Sequence, residues 1–183
     1  MMIHLLFLSR NLFPKFGFYI FTLGGAVYGK GNVTVVGEFN TAYDPEAAAI
    51  VLQTAVCPTY LMPWETSSST GLDWDWHSRW VSTDRPVMKF IKRFTAHTIN
   101  MDKTVWSTLF CPPDLVAMAW ALDSKLSTKN SVCHCYVDCG GNPLTRGQLI
   151  VDWRGLLKKK ENITISLEWS TEIFRKILEK LTA

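Results

Sequence analysis

A hydrophobic segment, residues 16–23, runs directly into Gly24-Gly25-Ala26-Val27-Tyr28-Gly29-Lys30-Gly31-Asn32, and no other junction constrains the fold as much. An apolar run this short, ended by glycines, reads as a buried strand that turns sharply at its end. Beyond the loop, Asp44-Pro45-Glu46 opens a helix. Asp44 can cap free N–H groups, Pro45 sits where a missing N–H costs nothing, and Glu46 complements the dipole. Between strand and helix the chain displays Asn32, Glu38 and Asn40, two amides and a carboxylate within nine residues. Such groups can donate to and accept from the hydroxyls of a polyhydroxylated ligand.

The same strand and helix patterns continue. The first helix should reach residue 54, and residues 60–62 look like a second strand entering Pro63-Trp64-Glu65-Thr66. Residues 78–100 form one longer, partly amphipathic region, and residues 114–122 are apolar and helix-prone. Strands are expected at residues 131–137, 148–153 and 163–167. A last helix over residues 171–181 puts Ile173, Phe174, Ile177, Leu178 and Leu181 on one face. Strands separated by helices predict an α/β fold, a partly parallel sheet flanked by helices. Such sheets are built from several strand–helix units, and few accompany the motif here. The chain therefore reads as the back part of a larger domain.

Composition sets outer limits. With 48% hydrophobic and 19% charged residues in 183, the chain can build a core and is not disordered. A net charge of +3 is too small for a nucleic-acid surface, and Lys158-Lys159-Lys160 is most simply a solvated turn. No apolar run is long enough to span a bilayer, so neither nucleic acid nor membrane is expected as a partner. Five cysteines, an odd number, do not make a disulfide framework and favour a reducing, cytoplasmic setting. Eight tryptophans point to a rigid core or an aromatic-lined pocket.

Three further patterns compete with plainer readings. Residues 24–30 fit the phosphate-loop spacing G-x-x-x-x-G-K, but Gly31 stands where a magnesium-binding hydroxyl belongs and Val33-Thr34-Val35-Val36 does not start a helix. Asp73-Trp74-Asp75-Trp76-His77 has two carboxylates for a hard cation, yet acids at a helix start explain it as well. Cys133-His134-Cys135 with Cys139 carries zinc-type ligands. On a strand, however, His134 would point away from the two thiols, which favours buried free cysteines.

Taken in order, Gly24-Gly25, Gly31-Asn32-Val33-Thr34, Glu38-Phe39-Asn40 and Asp44-Pro45-Glu46-Ala47-Ala48 closely resemble the inosine-uridine preferring nucleoside hydrolases. Tyr60 to Thr66, Asp114 to Asp123, and Thr145-Arg146-Gly147-Gln148 with Asp152-Trp153 are similar to that family in the same order. The resemblance covers residues 16–183, as the C-terminal portion of a nucleoside-hydrolase-like domain, and leaves residues 1–15 unmatched. It implies hydrolysis of the N-glycosidic bond of purine or pyrimidine ribonucleosides, with calcium as cofactor. It implies ribose binding by Asn32, Glu38 and Asn40, and a calcium ligand in Asp114. A ribonucleoside is the expected substrate, and a homo-oligomer a possible assembly. His77, Trp74 and Trp76 are candidates for contact with the base, although core packing suits the tryptophans too.

Two departures matter. The family pattern has a histidine before the late aspartate, where this chain has Pro113. Its D-x-D-x-x-x-D-D cluster, source of most calcium ligands and of the base that activates water, is absent, so no catalytic residue is identified. Cleavage of a ribosyl–base bond builds positive charge on the sugar, which a nearby Glu38 would stabilise. The expectation is a chain that holds ribose and is by itself weak or inactive. The alternative is a non-catalytic nucleoside- or sugar-binding protein, or a dimer partner of a longer relative.

Overall fold

The site is positioned by a five-stranded sheet with order β1-β2-β5-β3-β4, seen in a computed structural model that describes residues 19–101 and 108–182. In chain order the elements are β1 (Ile20–Leu23), α1 (Phe39–Tyr43), α2 (Pro45–Thr54), β2 (Thr59–Met62), α3 (Trp64–Ser67), α4 (Trp74–Val81) and α5 (Pro86–Met101). Then follow α6 (Pro113–Leu122), a 3-10 turn (Ser124–Leu126), β3 (Ser127–Val137), β4 (Leu149–Asp152), β5 (Ile163–Trp169) and α7 (Thr171–Glu179). The β1–β2 and β2–β5 pairs are parallel, while β5–β3 and β3–β4 are antiparallel. The sheet is thus partly parallel, as the alternation of elements predicts. Residues 1–15 and the expected first residues of β1, 16–18, lie outside the described residues.

Each face of the sheet carries its own apolar layer because successive side chains alternate. On one face Leu61, Cys133, Cys135, Ile163 and Ile165 pack beneath Ala48, Ala49 and Leu52 of α2. On the other, Met62 joins Trp76 and Trp80 of α4, Val116 and Trp120 of α6, and Phe174 and Leu178 of α7. Phe21 and Tyr60, neighbours across β1 and β2, stack at 4.7 Å, and Trp120 meets both rings edge-on. Among the described residues Trp76, Trp80, Trp120 and Trp169 therefore serve the core. Trp80 donates Nε1–H to the Leu178 carbonyl and Trp169 to that of Thr66, so their polar ends are satisfied as well.

Two element boundaries differ from the sequence expectation. The region 78–100 is two helices, broken at Ser82 where α4 ends and resumed at Pro86. β3 begins at Ser127, not 131. Its polar start, Ser127-Thr128-Lys129-Asn130, has no strand pattern of its own; it is held by pairing with the end of β5 across a register irregularity. Ser127 Oγ there lies 2.7 Å from Ser166 Oγ and donates to Asn130 Oδ1 at 2.6 Å.

Candidate functional site

Glu38 is the hub. It is the N-cap of α1, and its Oε2 accepts the amides of Asn40 at 3.0 Å and Thr41 at 3.4 Å. The same oxygen accepts the Gly25 amide at 2.8 Å, which ties the turn beyond β1 to the start of α1. Oε1 accepts Asn40 Nδ2–H at 3.1 Å, and that amide also donates to the Leu23 carbonyl at 3.3 Å. Glu38 is only 2% exposed, so the carboxylate sits in a cradle of N–H groups. Asn32 belongs to the same cluster: its Oδ1 accepts the Phe39 amide at 2.9 Å. The structure thus brings the three sequence-predicted ribose residues to the C-terminal end of β1. Among the described residues, Asn32 Nδ2 and Asn40 Oδ1 make no hydrogen bond, leaving a donor and an acceptor beside Glu38 Oε1.

The turn itself requires glycine at one point. Gly25 has φ +71°, and a Cβ there would lie 2.8 Å from a Leu149 side-chain carbon. A second carboxylate, Glu65 at the start of α3, accepts the Tyr28 and Lys30 amides at 2.9–3.1 Å. In the loop that spells a phosphate-binding spacing, the N–H groups of Gly25, Tyr28 and Lys30 are therefore taken by the chain's own acids, and those of Gly24 and Gly29 by backbone carbonyls. No helix follows it directly either, since the next one starts at Phe39. Glu65 escaped sequence reasoning as a loop anchor, and only tertiary folding places it there.

Asp114 stands near this cluster from the opposite element. It is not a cap; Pro112 holds the N-cap position, Pro113 begins α6, and Asp114 follows in the first turn, where its charge suits the dipole. Its side chain is exposed and makes no hydrogen bond among the described residues. Burial pushes the Glu38 carboxyl above its ordinary range. The amides of Asn40, Gly25 and Thr41 pull it back, and the negative charge of Asp114 adds to the rise.

A distant clamp supports the helices that carry the site. Arg146 bonds both carboxylate oxygens of Glu46 at 2.7 and 2.8 Å and donates to the Cys139 carbonyl at 2.8 Å. Beside it Gly147, φ +84°, lies so close to α1 that a Cβ would come 2.6 Å from Ala42 Cα. The Thr145-Arg146-Gly147 motif thus grips α1 and α2 from behind.

Of the three candidates for base contact, His77 and Trp74 pack around Phe110, while Trp76 stacks on Trp80 at 5.5 Å. His77 is 3% exposed and Trp76 5%, and His77 lies 4.3 Å from the Phe110 ring. Trp74 is half-buried, edge-on to His77 and Phe110. Asp73 caps α4 by accepting the Trp76 amide, which gives the acidic pair its helix-start reading. Cys133 and Cys135 place their sulfurs 3.8 Å apart in the core, while His134 turns to the Lys160 carbonyl, so these ligand types do not converge. Among the described residues no group of three or more His, Cys, Asp or Glu could hold a metal ion. None of the five cysteines is in a disulfide.

The chain is similar to known proteins. The chain is 28% identical over 161 residues to the non-specific ribonucleoside hydrolase RihC of Salmonella agona, covering 88% of the chain and 50% of that protein. Among solved structures it is similar to an inosine-guanosine nucleoside hydrolase (TM-score 0.76, 26% identity, 87% of this chain and 50% of that one). It is similar as well to a purine-preferring ribonucleoside hydrolase from Gardnerella vaginalis (TM-score 0.74, 25% identity, the same 87% and 50%). The chain spans about half the length of these relatives. The family model for inosine-uridine preferring nucleoside hydrolases matches residues 3–176, nearly the whole sequence, and the chain belongs to that family.

Proposed function

We propose that this chain holds the ribose of a ribonucleoside through Asn32, Glu38 and Asn40, the sugar-gripping part of N-glycosidic hydrolysis. The observation that carries the reading is the shared cluster at the end of β1, where Glu38 Oε1, Asn40 Oδ1 and Asn32 Nδ2 offer acceptors and a donor. A vicinal diol has the complementary pattern. As the glycosidic bond breaks, positive charge grows on the sugar, and an anionic Glu38 stabilises that state more than the ground state. Asn32 and Asn40 fix the sugar's orientation. Trp74, whose ring is half-buried, offers a surface to the base more readily than Trp76 or His77.

Calcium fits the described residues only in part. It takes six to eight oxygen ligands, whereas Asp114 is the single carboxylate here free of hydrogen bonds and near Glu38. No step is therefore routed through a metal, and no residue of the chain is assigned as the base that activates water. The 183-residue protein is expected to bind inosine or uridine and to turn either over weakly or not at all. The test incubates it with each nucleoside and calcium, measuring binding by calorimetry and free ribose by a reducing-sugar assay. Rapid ribose release refutes the weak activity; absence of binding refutes the ribose site.

One observation favours the non-catalytic alternative. Glu38 Oε2 is consumed by three backbone amides, so the carboxylate is first a structural anchor. Under that reading nucleoside binding depends on Glu38 while turnover is never seen.

A further inference from the structure

Helix α5 presents an outer face that nothing in the chain covers among the described residues. Its inner side is ordinary: Met88 is fully buried, and Ile91, Thr95 and Ile99 are half-buried below it. The outer side is not. Phe90 is 66% exposed and Phe94 77%, their rings stacked at 5.9 Å, and Val87 is 42% exposed one turn earlier. At about 100° per residue these three side chains fall within about 60° of arc, a continuous apolar stripe.

Charge decides what could cover that stripe. Residues 86–101 contain Lys89, Lys92 and Arg93 and not a single Asp or Glu, and Arg85 precedes them. All four cations are exposed; among the described residues only Lys89 forms an ion pair, with Asp84 at 2.6 Å on the preceding turn. A second copy of this chain is a poor partner. A symmetric dimer would set the helix against itself and bring like charges together. The complementary surface is anionic and accepts aromatic side chains. We propose that α5 docks on an anionic lipid surface, with Phe90 and Phe94 entering the boundary below the headgroups and Arg93 and Lys89, which flank the stripe on the outer face, meeting the phosphates. The mode is peripheral, since no described helix is long and apolar enough to cross a bilayer.

The test uses the full chain and phosphatidylcholine vesicles with or without about 30% phosphatidylserine. Co-sedimentation should show binding to the serine-containing vesicles, lost at high salt. Phe90→Ser with Phe94→Ser should weaken it at least about tenfold, and Lys89→Glu with Arg93→Glu should erase the preference for anionic lipid. These side chains are exposed, so circular dichroism should be unchanged. Hydrogen exchange of the wild type supplies a measure free of substitution: α5 amides should slow on anionic vesicles. The proposal is overturned by no sedimentation with either vesicle, by α5 exchange that lipid does not slow, or by a dimer that the Phe90/Phe94 change dissolves without vesicle binding.

Discussion

Glu38 Oε2 accepts the Gly25 amide at 2.8 Å, so one buried carboxylate fastens the end of β1 to the first turn of α1. The contact bridges thirteen residues and sets where Asn40 stands, since the same oxygen accepts the Asn40 amide.

Removing that carboxylate should cost stability as well as ligand binding. Glu38→Ala leaves the Gly25 and Asn40 amides without their acceptor in a buried place, a loss of about 2 kcal/mol by urea denaturation. Glu38→Gln keeps one acceptor oxygen and should lose about half as much, yet still weaken ribonucleoside binding by calorimetry. Equal losses of stability in both variants would contradict the cradle.

The same group predicts a pH dependence. Its folded pKa is raised from an ordinary 4.5, chiefly by burial. The stability this gives is therefore full below pH 4.5 and fades as pH rises through the higher folded value. Subtracting the Glu38→Gln melting curve from the wild type should show that fading across the weakly acidic range. A difference that stays flat or grows with pH speaks against it.

Asp114 contributes to that rise from across the site. Asp114→Asn removes a negative charge and should lower the Glu38 pKa, read from its carboxyl carbon shift by NMR. Because Asp114 is exposed and lacks hydrogen bonds among the described residues, melting should hardly change. An unshifted Glu38 titration would separate the two residues.

Gly25 combines a left-handed backbone with a side-chain overlap. Gly25→Ala should cost about 2–3 kcal/mol, part strain and part collision with Leu149. In a Leu149→Ala background the 2.8 Å contact disappears while the Cβ of residue 149 stays at 3.0 Å, so the cost should shrink by about 1 kcal/mol. Additive losses would mean that the two residues do not meet.

Arg146 should matter less to stability than to order. Its pair with Glu46 is exposed, with side chains 40% and 54% accessible, so melting of Arg146→Lys should fall only slightly. A lysine, however, cannot bond Glu46 and the Cys139 carbonyl together, as Nη2 and Nη1 do, and amides at the start of α2 should exchange faster. Unchanged exchange would show that the clamp does not hold the helix.

Much of this was legible in advance. The capped start of α2 at Asp44-Pro45-Glu46 was readable because capping is local, and the Asp44 side chain does accept the Ala47 amide. The Cys133/Cys135 face follows from strand alternation alone. The polar start of β3 was not readable, because its partner in β5 lies some forty residues away. Nor was the break at Ser82, where apolar periodicity continues across two helices that the backbone separates.

By itself the sequence determined the family, the strand–loop–helix unit and the trio Asn32, Glu38 and Asn40, since each depends on residue types at short spacing. Tertiary structure alone decided that Glu65 would occupy the amides of Tyr28 and Lys30, and that Asp114 would raise the pKa of Glu38. It also buried His77 against Phe110 and Trp76 against Trp80. The reason is physical: caps and turns are satisfied within a few bonds, whereas a carboxylate's distant partner is fixed only when strands and helices pack.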